Sequence, residues 1–135
     1  MYLRKTTIVR LITTYKIMML LGMSNDFSAF VNKDRALLII LVEYINDAMR
    51  DCAELNVCAS DIKKGLKSKQ IVSFCNNIIM VLDLMKERLR HIRDIITTNG
   101  RISSTHFDFN LASDLMYNID MLYRFISKES EEDDE

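Results

Sequence analysis

The most regular pattern of apolar and polar positions in the chain lies between residues 70 and 97. Eight apolar residues recur there at alternating steps of four and three positions: Ile71, Cys75, Ile78, Leu82, Met85, Leu89, Ile92 and Ile96. A seven-residue repeat of this kind keeps one stripe of an α-helix turned toward a packing partner. Asn99 and Gly100 follow, and either can adopt the left-handed conformation that ends a helix. We therefore predict a long central helix over residues 70–97, with this heptad-like stripe as its buried face.

A second stretch, residues 34–55, carries a similar stripe and is the expected packing partner of the long helix. Its apolar positions again step by four and three: Leu41, Ile45, Ala48, Cys52 and Leu55. The run from Ala36 to Val42 is apolar at every position, which predicts a helix half that is buried on all sides. Asn32 or Asp34 can cap this helix at its start.

Two further stretches, residues 3–21 and about 107–127, carry apolar residues at helical spacing. Each is predicted to form a helix that buries one face. Residues 24–34 are expected to form a connection, in which Phe27 and Phe30 cover the edge of the core.

Residues 56–69 have the least regular pattern, which allows a short helix capped by Ser60 or Asp61. Four lysines cluster near its end: Lys63, Lys64, Lys67 and Lys69. Clustered ammonium groups near a helix N-terminus can hold a phosphate, so these lysines are a candidate anion-binding site. The alternative is a solvated basic turn, which the lack of a glycine-rich loop favours.

The composition agrees with an all-α fold. The 135-residue chain has no proline, only three glycines, and 49% apolar residues. So few helix breakers favour long helices joined by short turns. We predict one helical domain over residues 1–128, a compact bundle of four to five helices around the long helix. Residues 129–135 include six acids, and we expect them to form a disordered acidic C-terminal tail.

The start of the chain is basic. Residues 1–25 contain no acid and four bases, which are Arg4, Lys5, Arg10 and Lys16. A basic amphipathic segment of this kind is typical of a mitochondrial presequence or of a helix that lies on a membrane surface. We expect residues 1–22 to be a structural first helix, with mitochondrial targeting and membrane contact as the alternatives.

The cysteines and histidines predict neither a disulfide framework nor a metal centre. The three cysteines, Cys52, Cys58 and Cys75, are odd in number and lie in apolar helical contexts. Free thiols in a reducing intracellular compartment, most simply the cytoplasm, are the expected state. The two histidines lie far apart in the sequence, so no metal or other cofactor is expected.

No catalytic residues are predicted. His91 has Glu87 four residues before it and Asp94 three residues after it, which would place all three on one solvent-exposed helix face. Such pairs are also ordinary partners on a helix surface. A small enzyme that depends on a metal or an anion is therefore the alternative to a non-enzymatic protein.

The outer face of the long helix carries a second basic group, Lys86, Arg90 and Arg93, as candidate partner-binding residues. This group lies roughly 30 Å from the lysine cluster by helix rise. The net charge is −1, and no aromatic residues alternate with the bases as stacking on nucleic acid requires. Nucleic-acid binding is therefore not expected, and the predicted partner is another protein.

By elimination, the sequence predicts a non-enzymatic helical module for protein–protein interaction. Nine methionines give the chain adaptable apolar surface. A partner would bind in an apolar groove between helices, or two copies would pair through a stripe such as that of residues 70–97.

The all-helical pattern around a central apolar helix, together with a proline-free composition rich in Ile, Asn, Asp and Met, is similar to the small Bcl-2-like proteins of large DNA viruses. The resemblance implies a viral, host-interacting protein with a groove that binds a partner's helix. The Asn-Trp-Gly-Arg motif of the Bcl-2 family has no counterpart here, because the chain contains no tryptophan. No site residue is therefore carried over from that family.

Overall fold

The computed structural model describes residues 3–23, 25–66, 68–102 and 110–133, and these residues form five α-helices and no strand. In chain order the helices are α1 (Lys5–Met23), α2 (Asn25–Asn32), α3 (Arg35–Gly65), α4 (Lys69–Asn99) and α5 (Asn110–Asp133). The predicted all-α bundle is confirmed.

The long helix α4 is continuous, and its stripe is the centre of the core. All eight stripe residues are buried, and none is more than 4% exposed. The stripe is covered by helices of the same chain, α3 on one side and α5 on the other. It is therefore a packing face of the core rather than a seam for a second chain.

Polar pairs between the helices show that neighbouring helices run antiparallel. Asn56 of α3 donates to Asp83 of α4 at 2.9 Å, whereas Arg93 near the end of α4 reaches back to Asn46 at 3.2 Å. On the other side of α4, the rings of Phe74 and Phe125 lie 5.4 Å apart. Helix α1 packs antiparallel on α3, so the helices lie in the order α1, α3, α4 and α5.

The first residues of the described chain connect the two outer helices. The backbone N–H of Leu3 donates to the hydroxyl of Tyr123 on α5 at 3.0 Å. Leu11 and Tyr15 of α1 are fully buried. The structure therefore includes this segment in the core, as the prediction of a structural first helix requires. Mitochondrial targeting and membrane contact stay predictions for the same residues.

Helix α3 is longer than predicted, because it continues past residue 55 to Gly65. Its stripe also continues, since Ala59 and Ile62 are both buried on the same face. Packing against α4 stabilises the helix through a stretch whose own pattern is weak, as tertiary contacts often do. Asp34 caps the start of α3 by accepting from the N–H of Leu37.

Most of the connection predicted over residues 24–34 is a short helix, α2, which was not predicted from the sequence. Val31 of α2 is buried, whereas Phe30 is exposed; the side chain of Phe27 lies outside the described part of the structure. The amide of Asn32 makes two hydrogen bonds to the backbone of Ile102, at 2.7 and 3.1 Å. The end of α2 is therefore hydrogen-bonded to the segment that follows α4.

The apolar run from Ala36 to Val42 is not buried on all sides, which corrects a second prediction. Leu38 and Leu41 are buried, but Ile39 and Ile40 are exposed. The described helices with the main contacts to α3 are α1, α2 and α4, and they cover one side of it. The other side of this apolar half-helix therefore faces solvent.

Helix α5 begins at Asn110 and continues to Asp133. The predicted start near residue 107 falls in 103–109, outside the described residues. Five of the seven residues predicted to form a tail are helical. The boundary of the domain at residue 128 stays a prediction.

The end of α4 gives a first testable prediction. Gly100 has φ 68° and ψ 19°, and its N–H donates to the carbonyl of Ile96 at 2.8 Å, which confirms the predicted helix end. Gly100→Ala is expected to lower the free energy of unfolding by about 1 kcal/mol, because a Cβ is strained at positive φ. Urea unfolding monitored by circular dichroism measures this change.

Gly65, the last residue of α3, is the matched control. No heavy atom lies within 4 Å of a Cβ built at either glycine, so neither substitution causes a clash. Gly65 lacks a positive φ, and Gly65→Ala is expected to stabilise by up to about 1 kcal/mol through helix propensity. Equal effects of the two substitutions would contradict the assigned backbone conformation of Gly100.

Candidate interaction surface

A concave groove of about 380 Å³ lies between α1 and α3. Its floor consists of buried residues such as Met18, Leu41 and Ala48, and its walls include Ile17 and Tyr44. The surface that lines it is mostly apolar. Grooves of this size and polarity are typical binding sites.

The groove continues into an exposed apolar surface toward the C-terminal end of α1. Leu20 lies one helical turn beyond Ile17, and Ile40 lies one turn before Tyr44. Because the helices are antiparallel, both extend in the same direction. Ile17, Leu20, Ile40 and Tyr44 are 45%, 62%, 44% and 56% exposed, and we call these four residues the α1–α3 patch.

At the opposite end of the groove from Leu20 and Ile40, an ion pair to a buried carboxylate joins α1 to α3. Arg10 of α1 donates to both carboxylate oxygens of Asp51 on α3, through Nε at 2.9 Å and Nη2 at 2.6 Å. The side chain of Asp51 is only 6% exposed. The hydrogen bond and the charge of Asp51 raise the pKa of Arg10. The two-pronged contact sets both the distance and the register of α1 on α3.

The two sides of the groove carry opposite charge. Between Lys5 and Leu20, α1 has three bases and no acid. Between Glu43 and Glu54, α3 has four acids and a single base. The apolar patch therefore lies between a basic border and an acidic one.

A second groove of about 310 Å³ lies between the start of α3 and the end of α4. Leu38 and Ile96 form its buried part, and Ile39 is its exposed apolar residue. It is more open than the groove beside α1. Since it has fewer exposed apolar side chains, it is the weaker candidate.

The predicted anion-binding lysines are divided between two helices. Lys63 lies in the last turn of α3 and donates to Asn76 of α4 at 3.0 Å. Lys64 lies in the same turn, and Lys69 begins α4 beside a shallow depression. Lys67 lies outside the described residues. One of the three described lysines thus contributes to the α3–α4 interface, and anion binding stays a prediction.

Of the predicted partner-binding residues, Arg93 is used inside the fold. Besides its hydrogen bond to Asn46, its Nη1 lies 3.7 Å from the sulfur of Met49. Arg90 forms an ion pair with Glu87 at 2.6 Å, and Lys86 is exposed. The three bases therefore do not form one free basic surface, and their binding of a partner stays a prediction.

His91 is exposed on α4, and the carboxylates predicted beside it have other partners. Glu87 pairs with Arg90, and Asp94 pairs with Arg93 at 3.3 Å. Across the described ranges, no group of three or more His, Cys, Asp or Glu side chains is placed to hold a metal ion.

The cysteines are free thiols in the described structure. Burial, reinforced by the charge of Asp51, raises the pKa of Cys52 to about 12. Burial also raises the pKa of Cys75. Both thiols therefore stay protonated at neutral pH, which makes them poor nucleophiles.

Among the described helices, none combines the length and the apolar character that crossing a bilayer requires. No family model, curated protein or solved structure matches this chain. The fold and the surface together define a small all-α bundle with an apolar groove between two antiparallel helices.

The α1–α3 patch is not among the surfaces that the sequence predicts. The apolar neighbours of Ile40 place it in the core by pattern, and Ile17 and Leu20 lie off the buried face of α1. The sequence feature that could have revealed the patch is that both helices contain more apolar residues than one buried face requires.

Proposed function

We propose that this protein is a non-enzymatic interaction module that binds another protein molecule through the α1–α3 patch. The observation that supports the proposal is the exposure of four large apolar side chains around a groove, in a chain with a well-buried core. Contiguous exposed apolar surface of this kind marks interaction sites in folded proteins. The free, buried thiols suit a reducing intracellular compartment.

The composition of the patch supports the same proposal. Tyr44 combines a large apolar ring with a polar tip, which is why tyrosine is enriched at binding hot spots. Charged residues border the patch on both sides, and a polar rim around an apolar centre is the usual anatomy of a protein interface. The patch is therefore suited to a protein surface of matching shape and charge.

A second candidate function is the binding of a partner's amphipathic helix, as the similarity to Bcl-2-like proteins implies. The groove between two antiparallel helices favours this candidate, because a helix can place apolar side chains along its floor. In that case a short helical peptide is sufficient for binding, whereas a folded partner requires the wider patch.

Affinity capture from cells that produce the tagged protein, together with a second tagged copy, tests the proposal. Ile40→Glu is expected to abolish capture, because it places a carboxylate at the centre of the contact. Leu84→Glu is the matched control, since Leu84 is similarly exposed but lies on α4. Identical sets of captured proteins, second copies included, from the wild type and Ile40→Glu would overturn the proposed function.

A further inference from the structure

The relative heights of residues along α1 and α3 are set by three contacts. Arg4 pairs with Glu54 at 3.7 Å, Arg10 pairs with Asp51, and Ile17 shares the groove with Tyr44. Between the last two contacts α1 rises by seven residues, from Arg10 to Ile17, while α3 descends by seven, from Asp51 to Tyr44. By this register Leu20 lies level with Ile40, and Lys16 lies level with Glu43.

A two-fold axis that runs along the groove, parallel to the helices, brings residues of equal height on α1 and α3 opposite each other in two copies. Rotation about such an axis keeps the height of every residue and exchanges the two sides of the groove. The α1 of a second copy then faces the α3 of the first, and the reverse holds on the other side. Leu20 of each copy faces Ile40 of the other, and Lys16 faces Glu43.

The charges that remain unpaired within the chain match this arrangement. Among the described residues, Lys16 and Glu43 have no ion-pair partner of their own. They have opposite sign and are both exposed; Lys16 lies on α1, and Glu43 lies on α3, where it also lines the second groove. In the two-fold arrangement each pairs with its counterpart in the other copy, on both sides of the axis.

The overall charges of α1 and α3 in one copy also complement those of α3 and α1 in a second copy. Arg4, Arg10 and Asp47 already have partners within the chain, but α1 stays net basic and α3 stays net acidic between Glu43 and Glu54. In the two-fold arrangement the basic α1 of one copy therefore lies across the acidic part of α3 in the other. Such charge complementarity sets both register and partner choice at an interface.

We propose, as an extension of the proposed function on which it rests, that the α1–α3 patch binds a second copy of this chain. The product is a two-fold dimer in which two α1–α3 pairs form a four-helix interface. Its centre is the apolar patch, and its rim is the pair of contacts between Lys16 and Glu43.

A charge-swap experiment tests the dimer, with mass measured by light scattering over a concentration series. Lys16→Glu and Glu43→Lys are each expected to weaken the dimer at least about tenfold, because both rim contacts then join like charges. Mixing the two variants restores a dimer of wild-type affinity, since every rim contact in the mixed dimer again joins opposite charges. The double variant, with both changes in one chain, dimerises for the same reason.

Lys128→Glu is the control for a change of charge alone, because Lys128 is exposed on α5 and lies outside the α1–α3 patch. It is expected to leave the dissociation constant unchanged. A wild-type protein that is monomeric up to its solubility limit would overturn the dimer, as would variants that fail to complement each other on mixing.

The failure of the dimer is distinguishable from the failure of the proposed function. If the wild type is monomeric but capture from cells is still lost with Ile40→Glu, the patch binds a different protein. If the monomer instead floats with anionic vesicles, and Ile40→Glu leaves capture unchanged, a lipid surface occupies the patch and both proposals are wrong.

Discussion

Leu82→Asp is expected to unfold the domain. Leu82 is fully buried at the middle of the α4 stripe, with α3 on one side and α5 on the other. The substitution removes a buried apolar side chain and places a carboxylate in the apolar core. A domain of this size is stable by about 5–15 kcal/mol, and burial of an unpaired charge is among the few changes that remove a large part of that.

Two further variants make this prediction specific. Leu82→Ala removes the packing without adding a charge, and it is expected to cost about 2–5 kcal/mol while the fold persists. Leu84→Asp adds the same charge at a half-exposed position two residues away, and it is expected to change stability by less than about 1 kcal/mol. Circular dichroism with thermal melting measures all three. Unchanged melting of Leu82→Asp would show that the α4 stripe is not the core.

The α4 helix was predictable because every source of information in the sequence agrees there. The seven-residue repeat specifies one buried face, and Gly100 specifies the end. The stripe of α3 was predictable for the same reason, since Leu41, Ile45 and Cys52 keep the same spacing. Where pattern and helix ends agree, local sequence is sufficient to give the tertiary role of a helix.

The errors have a common physical cause, which is that burial depends on the neighbours a helix has. Ile39 and Ile40 lie in an apolar run that suggests a fully buried helix, but no described helix packs on their outer side. Beyond residue 55, α3 stays helical because α4 continues beside it. The exposure of Ile39 and Ile40 follows from the order in which the helices pack and is not encoded in the local pattern. The length of α3 has a local signal as well, since Ala59 and Ile62 continue the spacing of its stripe.

The candidate surface was unpredictable for a related reason. An exposed apolar residue and a core residue look alike in sequence, and only the packed structure shows which of them lack a neighbour. The basic start of the chain is evident in the sequence, but the acidic border of α3 lies beside it only in the folded protein. The functional meaning of both features depends on the antiparallel register that Arg10 and Asp51 establish.

Tyr15→Ala is expected to cost roughly 3–5 kcal/mol and to loosen α1 from the bundle. Tyr15 is the largest of the fully buried side chains, so its removal leaves a cavity beneath the helix that forms one side of the groove. Loss of α1 packing also removes one half of the α1–α3 patch. Self-association should therefore decrease together with stability, although Tyr15 itself is buried and lies outside the α1–α3 patch.

The matched variant is Tyr15→Phe, which keeps the ring and removes only the hydroxyl. It is expected to cost at most about 1 kcal/mol, because the ring still fills the core, and to leave self-association unchanged. Hydrogen exchange measures where the structure loosens, and faster exchange in Tyr15→Ala should be concentrated in α1. If exchange accelerates equally in α4, α1 unfolds only with the whole domain; if neither helix is affected, α1 does not depend on Tyr15 for its place in the core.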